Sequence, residues 1–437
     1  MSEDMTLNEF TDDDESVEQE WFTQTLGQLA EYQNGRGFGK EEWGDTGYPI
    51  IRIQNLTEQQ SDFNYYNGEL EDQYRVEHGD TLLSWSATIG VFEWEGPEAA
   101  LNQHIFRVDT SDEVNDIFYR FKLEHLLPRL EALSHGSTMK HLRKADLVNL
   151  QTEIPPIKQQ RKIATILYNL ECVIKKTKEI ITQLEQVRKG ITQDIFTTGY
   201  NSYDEYTQVR LGPVNTSIPK DWSVRSIPDY FEIIDGDRGK NYPSGSDFSD
   251  EGHCLFLSAT NVTEEGLKFD ETEFITQEKD KELRKGKLKR GDIIMTTRGT
   301  VGNFGLYNEH VDYDNIRINS GMVILRPKEN VASTKYYYHF FRSGIFQKQI
   351  NATSYGTAQP QTSVTDLKKM GVLDPGDEEK KEIAEIIENI VSEIQIQKEY
   401  RGQLAKIKQG LQQDLFSGTV RTTDTNIEVP DEIVQHG

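Results

Sequence analysis

Apolar residues recur at alternating steps of three and four along two long, otherwise polar stretches of the chain. In residues 157–199 they are Ile163, Ile166, Leu167, Leu170, Val173, Ile174, Ile180, Ile181, Leu184, Val187, Ile191 and Ile195. In residues 377–417 they are Ile383, Ile386, Ile387, Ile390, Ile394, Tyr400, Leu404, Ile407, Leu411 and Leu415. This spacing is typical of the heptad seam of a coiled coil. Each stretch predicts a helix of about 40 residues, roughly 60 Å long.

The two predicted helices carry opposite net charges. Residues 157–199 contain eight basic and four acidic side chains, whereas residues 377–417 contain six basic and nine acidic ones. Opposite charge favours pairing of one helix with the other, and tandem copies pair most naturally in an antiparallel, pseudo-two-fold arrangement. A plain dimerisation device, with pairing between molecules, is the alternative that the pattern leaves open.

The chain also repeats itself. Shifted by 220 residues, the end of the first half matches the end of the second without a gap from His135 to Thr198. Matching pairs are Gly136/Gly356, Asp146/Asp366, Pro155/Pro375, Ile163/Ile383, Asn169/Asn389, Gly190/Gly410 and Phe196/Phe416. Shorter islands match at other offsets: Gly35/Gly236, Asn102/Asn319, and residues 84–90 with 296–302. A constant frame with a varied interior indicates two readers of different targets; a duplicated scaffold without function is the alternative.

Between the helices, strand-like runs alternate with polar loops and shorter helices. The strand candidates are 48–53, 81–84, 105–108, 255–257, 292–296 and 322–325, and the helix candidates are 117–133 and 334–350. We therefore predict an α+β fold in which two α/β recognition domains, each with a twisted sheet, are joined by the antiparallel pair of long coiled-coil helices. The predicted segments are an acidic tail (1–20), domain 1 (21–156), helix 1 (157–199), domain 2 (208–376), helix 2 (377–417) and a C-terminal tail (418–437), both tails being flexible.

Composition limits the function. The 437-residue chain has a formal net charge of −25, whereas DNA-binding proteins usually show a basic footprint. No stretch approaches the roughly 20 apolar residues of a membrane helix, and no membrane partner is expected. Two cysteines, Cys172 and Cys254, show no disulfide or zinc spacing, which fits a reducing cytoplasm.

Catalytic motifs are absent from the sequence. There is no G-x-x-x-x-G-K-[ST] phosphate loop, no glycine-rich dinucleotide turn and no Asn/Asp-Pro-Pro-aromatic tetrapeptide of amino-methyltransferases. We therefore expect a non-catalytic chain without a cofactor or metal of its own.

Polar and basic side chains near glycines are the candidates for reading DNA, because base edges are read by hydrogen-bonding groups on exposed loops. In the first half the candidates are Arg36, Lys40, Ser84, Trp85, Ser86, Thr88, Lys140, Arg143 and Lys144. In the second half they are Arg238, Lys287, Lys289, Arg290, Thr297, Arg298, Thr300 and Gln361. Two structural alternatives remain: the Gly-Asp turn at 291–292 marks only a strand entry, and the Lys-rich run at 281–290 is only a solvated face.

Three segments carry a family resemblance. They are Asp146-Leu147 with Ile154-Pro155-Pro156-Ile157, Gln160 and Ile163; Ile218-Pro219-Lys220-Asp221-Trp222; and Gly291-Asp292-Ile293-Ile294 with Arg298-Gly299-Thr300-Val301-Gly302. Together with the duplicated architecture over residues 20–420, they resemble the specificity subunits of type I restriction-modification systems.

The resemblance implies a function that spacing alone does not give. In that family each recognition domain reads one half of a split site in double-stranded DNA, and the helices set the spacing between the halves. Two modification subunits, which use S-adenosylmethionine to methylate adenine, dock on the helices, and two restriction subunits, which use ATP and Mg²⁺, complete the complex. Residues 372–379 lack the second proline and the glutamine of the first copy, so the two docking surfaces are expected to differ in strength. The alternatives are a coiled-coil scaffold and a divergent DNA methyltransferase.

Overall fold

The computed structural model describes residues 21–57, 59–134, 141–354, 361–423 and 425–435. The predicted acidic tail 1–20 and the candidate Lys140 lie outside these ranges. The described chain divides into two units: one takes the residues up to Lys178 and those from Tyr400 onward, and the other is Glu179–Glu399. Neither boundary falls between a predicted domain and its helix, because both cuts run through the long helices.

The first unit is built from small sheets. Its strands are β1 Phe22–Thr25, β2 Ala30–Asn34, β3 Trp43–Gly44, β4 Tyr48–Ile51, β5 Tyr65–Tyr66, β6 Arg75–Val76, β7 Thr81–Ser84, β8 Gly90–Glu93, β9 Ala99–Leu101, β10 Ile105–Thr110 and β11 Gln151–Ile154. Its helices are α1 Leu26–Leu29, α2 Ile53–Leu56, α3 Asp116–Leu133, α4 Lys144–Val148 and the beginning of α5 Ile157–Thr198. The sheet orders are β2-β10-β7-β8, β3-β5-β4-β9-β6 and β1-β11.

The second unit repeats this plan. Its strands are β12 Tyr206–Leu211, β13 Val214–Pro219, β14 Ser223–Ser226, β15 Phe231–Asp235, β16 Cys254–Leu257, β17 Val262–Thr263, β18 Gly266–Leu267, β19 Phe274–Ile275, β20 Ile293–Thr296, β21 Phe304–Leu306, β22 Ile316–Ile318, β23 Met322–Pro327 and β24 Gly371–Asp374. Its helices are α6 Ile227–Tyr230, α7 Gln277–Glu282, α8 Thr334–Arg342, α9 Gly344–Thr353, α10 Val364–Leu367 and the beginning of α11 Asp377–Phe416. Single-turn 3-10 helices occupy Lys40–Glu42, Asp72–Tyr74, Gly245–Asp247 and Ala259–Asn261.

The duplication predicted from the sequence is confirmed by the sheets. The antiparallel order β2-β10-β7-β8 of the first unit is matched by β15-β23-β20-β21 in the second, and the pair β1-β11 is matched by β14-β24. Each unit also has one parallel pair, β4 with β9 and β16 with β22. The central strands β7 and β20 are buried along their whole length, which explains their unbroken Leu-Leu and Ile-Ile-Met runs.

The long helices pair antiparallel, as predicted. In the first unit Lys408 of α11 contacts Glu171 of α5 at 2.7 Å, and in the second Lys398 of α11 contacts Glu185 of α5 at 2.9 Å. From the first ion pair to the second, the residue number rises on α5 and falls on α11, so the two helices run antiparallel. The helix bounds agree with the heptad prediction to within one residue at each end.

The end of each long helix completes the unit in which it ends. Phe416, near the end of α11, packs edge-to-face on Phe118 of α3 with ring centroids 5.5 Å apart. Phe196, near the end of α5, packs in the same way on Tyr336 of α8 at 5.6 Å. Because aromatic side chains bury large apolar areas, these contacts anchor each helix end in a core.

The C-terminal segment is ordered against the first unit, so the prediction of a flexible tail at 418–437 is wrong for its described part. Ile433, in the short helix α12 Asp431–Val434, is fully buried, and its carbonyl accepts a hydrogen bond from the Asn115 side chain at 2.8 Å. Lys162 donates to the carbonyls of Thr422 and Thr425 at 3.1 and 2.8 Å. Polar composition suggested a solvated tail, but one buried isoleucine and a set of main-chain acceptors hold it.

Three further details differ from the sequence prediction. The helix expected over 334–350 is divided at Ser343, where the extended main chain ends α8 before α9 begins. The strand expected over 48–53 ends at Ile51, since residues from Ile53 form α2. The single twisted sheet expected in each domain is divided into several small sheets.

The structure also bears on membrane-spanning helices, disulfide bonds and metal sites. Among the residues that the structure describes, no helix is long and apolar enough to cross a bilayer. Cys172 and Cys254 are free thiols. Within the same residues, no group of three or more His, Cys, Asp or Glu side chains is placed to hold a metal ion.

Candidate nucleic-acid interface

In the first unit, the loop after β7 is fixed by hydrogen bonds from its own first residues. The Ser84 hydroxyl is buried and donates to the Thr88 carbonyl at 2.6 Å. The Trp85 amide donates to the His104 carbonyl at 3.0 Å, and the Trp85 carbonyl accepts from the Leu142 amide at 2.9 Å. These bonds hold residues 84–88 against the segments around 104 and 142.

The loop after β20 in the second unit is fixed by the same set of bonds. The Thr296 hydroxyl donates to the Thr300 carbonyl. The Thr297 amide donates to the Gly321 carbonyl at 2.8 Å, and the Thr297 carbonyl accepts from the Thr362 amide at 3.0 Å. The match predicted between residues 84–90 and 296–302 is therefore confirmed bond by bond.

The two loops also share a left-handed residue. Gly299 has φ +75°, and Ala87, its equivalent, has φ +59°, a region that costs a residue with a β-carbon more than glycine. The predicted residues Ser84, Ser86 and Thr297 are buried, so their side chains pack inside the loops. Exposed on the loops are Thr88, Arg298 and Thr300.

In the second unit the loop borders a cleft of about 400 Å³ that brings together four of the predicted residues, Arg238, Thr297, Arg298 and Gln361, beside Asp235. The Arg238 guanidinium donates to the Asp235 carboxylate at 3.2 Å and to a main-chain carbonyl at 3.1 Å. Arg298 and Gln361 pair through a main-chain bridge. Two guanidinium groups and an amide beside one carboxylate form a surface rich in hydrogen-bond donors, suited to base edges or phosphates.

The equivalent place in the first unit has different chemistry. The Trp85 indole donates to the Asn34 side chain at 3.0 Å, and its ring lies 4.8 Å from the ring of His104. His141, opposite Ser86 through a main-chain bridge, lies 6.5 Å from His104. Burial, and then the neighbouring His141, lower the pKa of His104. His104 itself has φ +75°.

Asn34, His104, His141 and Asp235 were not predicted as site residues. The 220-residue shift places His141 opposite the candidate Gln361, so the repeat held a signal for that residue. For the other three, the sequence does not show that β2, β15 and the segments after β9 and β22 converge on the loops.

Two candidates in the Lys-rich run at 281–290, Lys287 and Arg290, form contacts within the second unit. Lys287 pairs with the buried Asp280 at 2.5 Å. Arg290 stacks on the ring of Tyr307 at 4.2 Å and donates to the Val311 carbonyl at 2.8 Å. These contacts favour the structural alternative for both residues, whereas Lys289 is exposed.

The Gly-Asp turn is also a structural element. The buried Asp292 carboxylate accepts from the Lys289 amide at 2.7 Å and pairs with Arg326 at 2.8 Å. Asp292 therefore fixes the entry into β20, as the strand-entry alternative expects.

The basic candidates of the first unit also include residues with contacts inside the unit and residues that are only exposed. Arg36 pairs with Glu42 at 2.9 Å and lies over the Phe38 ring at 3.9 Å. Lys144 is exposed but its ammonium donates to the Tyr32 carbonyl at 2.6 Å. Lys40 and Arg143 are exposed.

Comparison with known proteins agrees with this architecture. Residues 18–186 and 219–408 match the family model described as the type I restriction modification DNA specificity domain. The EcoBI type I restriction enzyme specificity subunit of Escherichia coli is 24% identical over 435 residues, covering 96% of this chain and 90% of that protein. The MjaVIII specificity subunit of Methanocaldococcus jannaschii is 24% identical over 359 residues, covering 80% and 81%.

Solved structures share the fold. The S subunit of a type I restriction-modification system from M. genitalium superimposes with a TM-score of 0.56 at 14% identity, covering 94% of this chain and 98% of that one. A chain from a structure on complex assembly and conformational transition of the type I R-M system gives 0.54 at 15% identity, covering 91% and 97%.

Proposed function

The chain belongs to the type I restriction-modification DNA specificity family, and we propose that it selects the site at which a type I complex acts by reading a bipartite sequence in double-stranded DNA. One observation carries the proposal: both units hold the same hydrogen-bonded loop, but Ser86 and His141 in one stand where Arg298 and Gln361 stand in the other. A shared frame that carries different side chains, with Arg298 exposed where Ser86 is buried, is what two readers of different half-sites require.

The long helices are proposed to set the number of unspecified base pairs between the half-sites. Helices α5 and α11 have 42 and 40 residues, and a helix rises about 1.5 Å per residue. A rod of fixed length is a physical basis for a fixed spacer, because a helix cannot stretch without losing its hydrogen bonds.

Two modification subunits are proposed to dock on the helices at equivalent surfaces. Ile180 and Val187 of α5 leave 43% and 50% of their surface exposed, and Tyr400 and Ile407 of α11, at the 220-residue shift, leave 45% and 51% exposed. Exposed apolar residues one heptad apart are unusual on a solvated coil and favour a protein partner. Two restriction subunits are proposed to join the same complex.

The chain itself is proposed to be non-catalytic and to act in the cytoplasm. S-adenosylmethionine, ATP and Mg²⁺ are assigned to the partner subunits, since the sequence carries none of the motifs for binding them. The net charge of −25 disfavours strong DNA binding by the chain alone, so basic partner subunits are proposed to supply phosphate contacts.

Mapping methylated adenines in the host genome, with and without the gene, tests the proposal. The expected result is a bipartite motif with a fixed spacer that disappears with the gene and returns with the intact gene. If the methylation pattern is the same with and without the gene, the chain is not the specificity component. Calorimetric detection of S-adenosylmethionine binding by the purified full chain would instead favour a divergent methyltransferase.

A further inference from the structure

We propose that Arg298 reads a guanine in the half-site bound by the second unit, and that the first unit reads no guanine from the equivalent position. The inference rests on the proposed function and adds the chemistry of one contact. Arg298 and Ser86 are equivalent because each follows a residue bonded to the same two neighbouring segments, and each forms a main-chain bridge to equivalent partners.

The Arg298 guanidinium is available for a ligand. Its side chain is exposed, and among the residues that the structure describes no carboxylate pairs with it. Other arginines of the second unit have carboxylate partners: Arg238 with Asp235, Arg284 with Asp237, Arg290 with Asp314, Arg317 with Asp280 and Arg326 with Asp292. Of the two arginines that line the cleft, Arg238 is paired with Asp235, whereas Arg298 has no carboxylate partner among the described residues.

The backbone that carries Arg298 is held in place on both sides. The bonds of Thr297 to the segments around 321 and 362 fix the residue before it, and Gly299 takes the left-handed turn after it. Gly321 has no side chain to crowd the arginine, and a β-carbon there would stand 3.8 Å from the Arg298 Cβ. A main chain held in place and a planar guanidinium group without a carboxylate partner suit a hydrogen-bonded contact that depends on direction.

Guanine is the ligand that this arrangement favours. The two parallel N–H groups of a guanidinium match the O6 and N7 acceptors of guanine in the major groove, the commonest specific contact of arginine. A phosphate is the competing ligand, because the Asp235 carboxylate that lines the cleft is paired with Arg238 and does not neutralise Arg298. In the first unit, Ser86 is buried and the rings of Trp85, His104 and His141 lie beside it, none of which offers that donor pair.

The test maps the methylation motif in cells that carry the full-length chain with Arg298→Ala or Arg298→Gln. The expected result is that one guanine, in one half-site only, is no longer required, while the other half-site and the spacer are unchanged. Lys220→Ala is the control, because it removes one exposed positive charge of the same unit outside the cleft and is expected to leave the motif intact.

Equilibrium binding then separates a base contact from a phosphate contact. The purified chain with its modification subunits is titrated with four duplexes that differ only at the mapped guanine pair. The wild type is expected to prefer guanine by roughly 5- to 150-fold, and Arg298→Ala by less than about 3-fold. An unchanged motif, or an equal loss of affinity for all four duplexes, overturns the inference, and thermal unfolding shows whether a variant is folded. A wild type without any gene-dependent bipartite motif refutes the proposed function instead.

Discussion

The main chain of Gly236 lies against Asn319 so closely that a β-carbon at position 236 would stand 2.1 Å from the Asn319 carbonyl oxygen. In the first unit Gly35 has the same relation to Asn102, at 2.2 Å. The sequence repeat matches Gly35 with Gly236 and Asn102 with Asn319. The structure gives the reason, because only glycine allows the end of β2 or β15 to approach the neighbouring segment so closely.

Gly236→Ala is expected to destabilise the protein by about 1–3 kcal/mol, since the main chain on both sides must shift to admit a methyl group. Gly190→Ala is the matched control: a β-carbon at that position in α5 meets nothing within 4 Å, and the change is expected to stabilise the helix by about 0.5–1 kcal/mol. Denaturant unfolding of the full chain measures both. Equal stability of the two variants would contradict the close approach.

Ile433→Ala is expected to cost about 2–5 kcal/mol, because it empties a fully buried site in the first unit. Val434→Ala, at the next residue, removes a side chain that is 39% exposed and is expected to change stability by less than about 0.5 kcal/mol. Thermal unfolding of the two variants compares them directly. If both are neutral, the C-terminal segment does not belong to the core of this unit.

Glu171→Ala is expected to destabilise the first unit by about 1–3 kcal/mol. It removes the carboxylate that pairs with the buried Arg120 at 2.6 Å and with Lys408 at 2.7 Å. Glu185→Ala removes a carboxylate of α5 that also pairs with α11, but Glu185 and Lys398 are 42% and 36% exposed, so a change below about 1 kcal/mol is expected. Chemical denaturation gives both values, and a larger effect at Glu185 would refute this ranking.

Acid is expected to destabilise the second unit through the pair formed by His339 and Glu388, whose side chains are 2.6 Å apart. Burial lowers the pKa of His339. Hydrogen bonds from His339 and then Lys335 lower the pKa of Glu388 to about 2. Arg342 and Arg188 also face His339 and lower its pKa further.

Both shifts have the same sign. A group whose pKa is lower in the folded chain binds more protons when unfolded, so stability is lost as the pH falls. His339 contributes this loss as the pH drops below 6.5, and Glu388 contributes between about 4.5 and 2. The melting temperature of the second unit is expected to fall from pH 7.5 to 5, less steeply in His339→Gln than in the wild type. His310→Gln, which alters an exposed histidine, should leave the slope unchanged; equal slopes in all three would refute the role of His339.

Removing one heptad from both long helices, residues 177–183 and 397–403, is expected to shorten the spacer of the recognised site. Seven residues span about 10.5 Å, which corresponds to about three base pairs at 3.4 Å each. Mapping the methylated motif measures the change, and both half-sites are expected to stay the same. Altered half-sites with an unaltered spacer would refute the ruler function of the helices.

The parts of this fold that repeat could be predicted, and the parts made by distant contacts could not. The heptad spacing predicts α5 and α11, and the 220-residue shift predicts that Phe196 and Phe416 occupy equivalent positions. Both predictions depend only on spacing along the chain. The roles of Lys287 and Arg290 depended on Asp280 and Tyr307, which are partners that composition does not identify. The sequence predicts a DNA surface at this basic run, and the structure adds that Lys287 of the run neutralises the buried Asp280.

The order in which the units fold follows from how they are assembled along the chain. The second unit is one continuous segment, Glu179–Glu399, whereas the first needs Leu415, Phe416 and Ile433 to fill its core. During synthesis on the ribosome, the N-terminal part of the first unit therefore lacks part of its core until the residues around Leu415, Phe416 and Ile433 have been made. Domains usually fold N-terminal first during synthesis, but in this protein the core of the first unit is completed only after all of the second unit has been made. A chain truncated near its C-terminus loses part of the core of the unit that begins at its N-terminus.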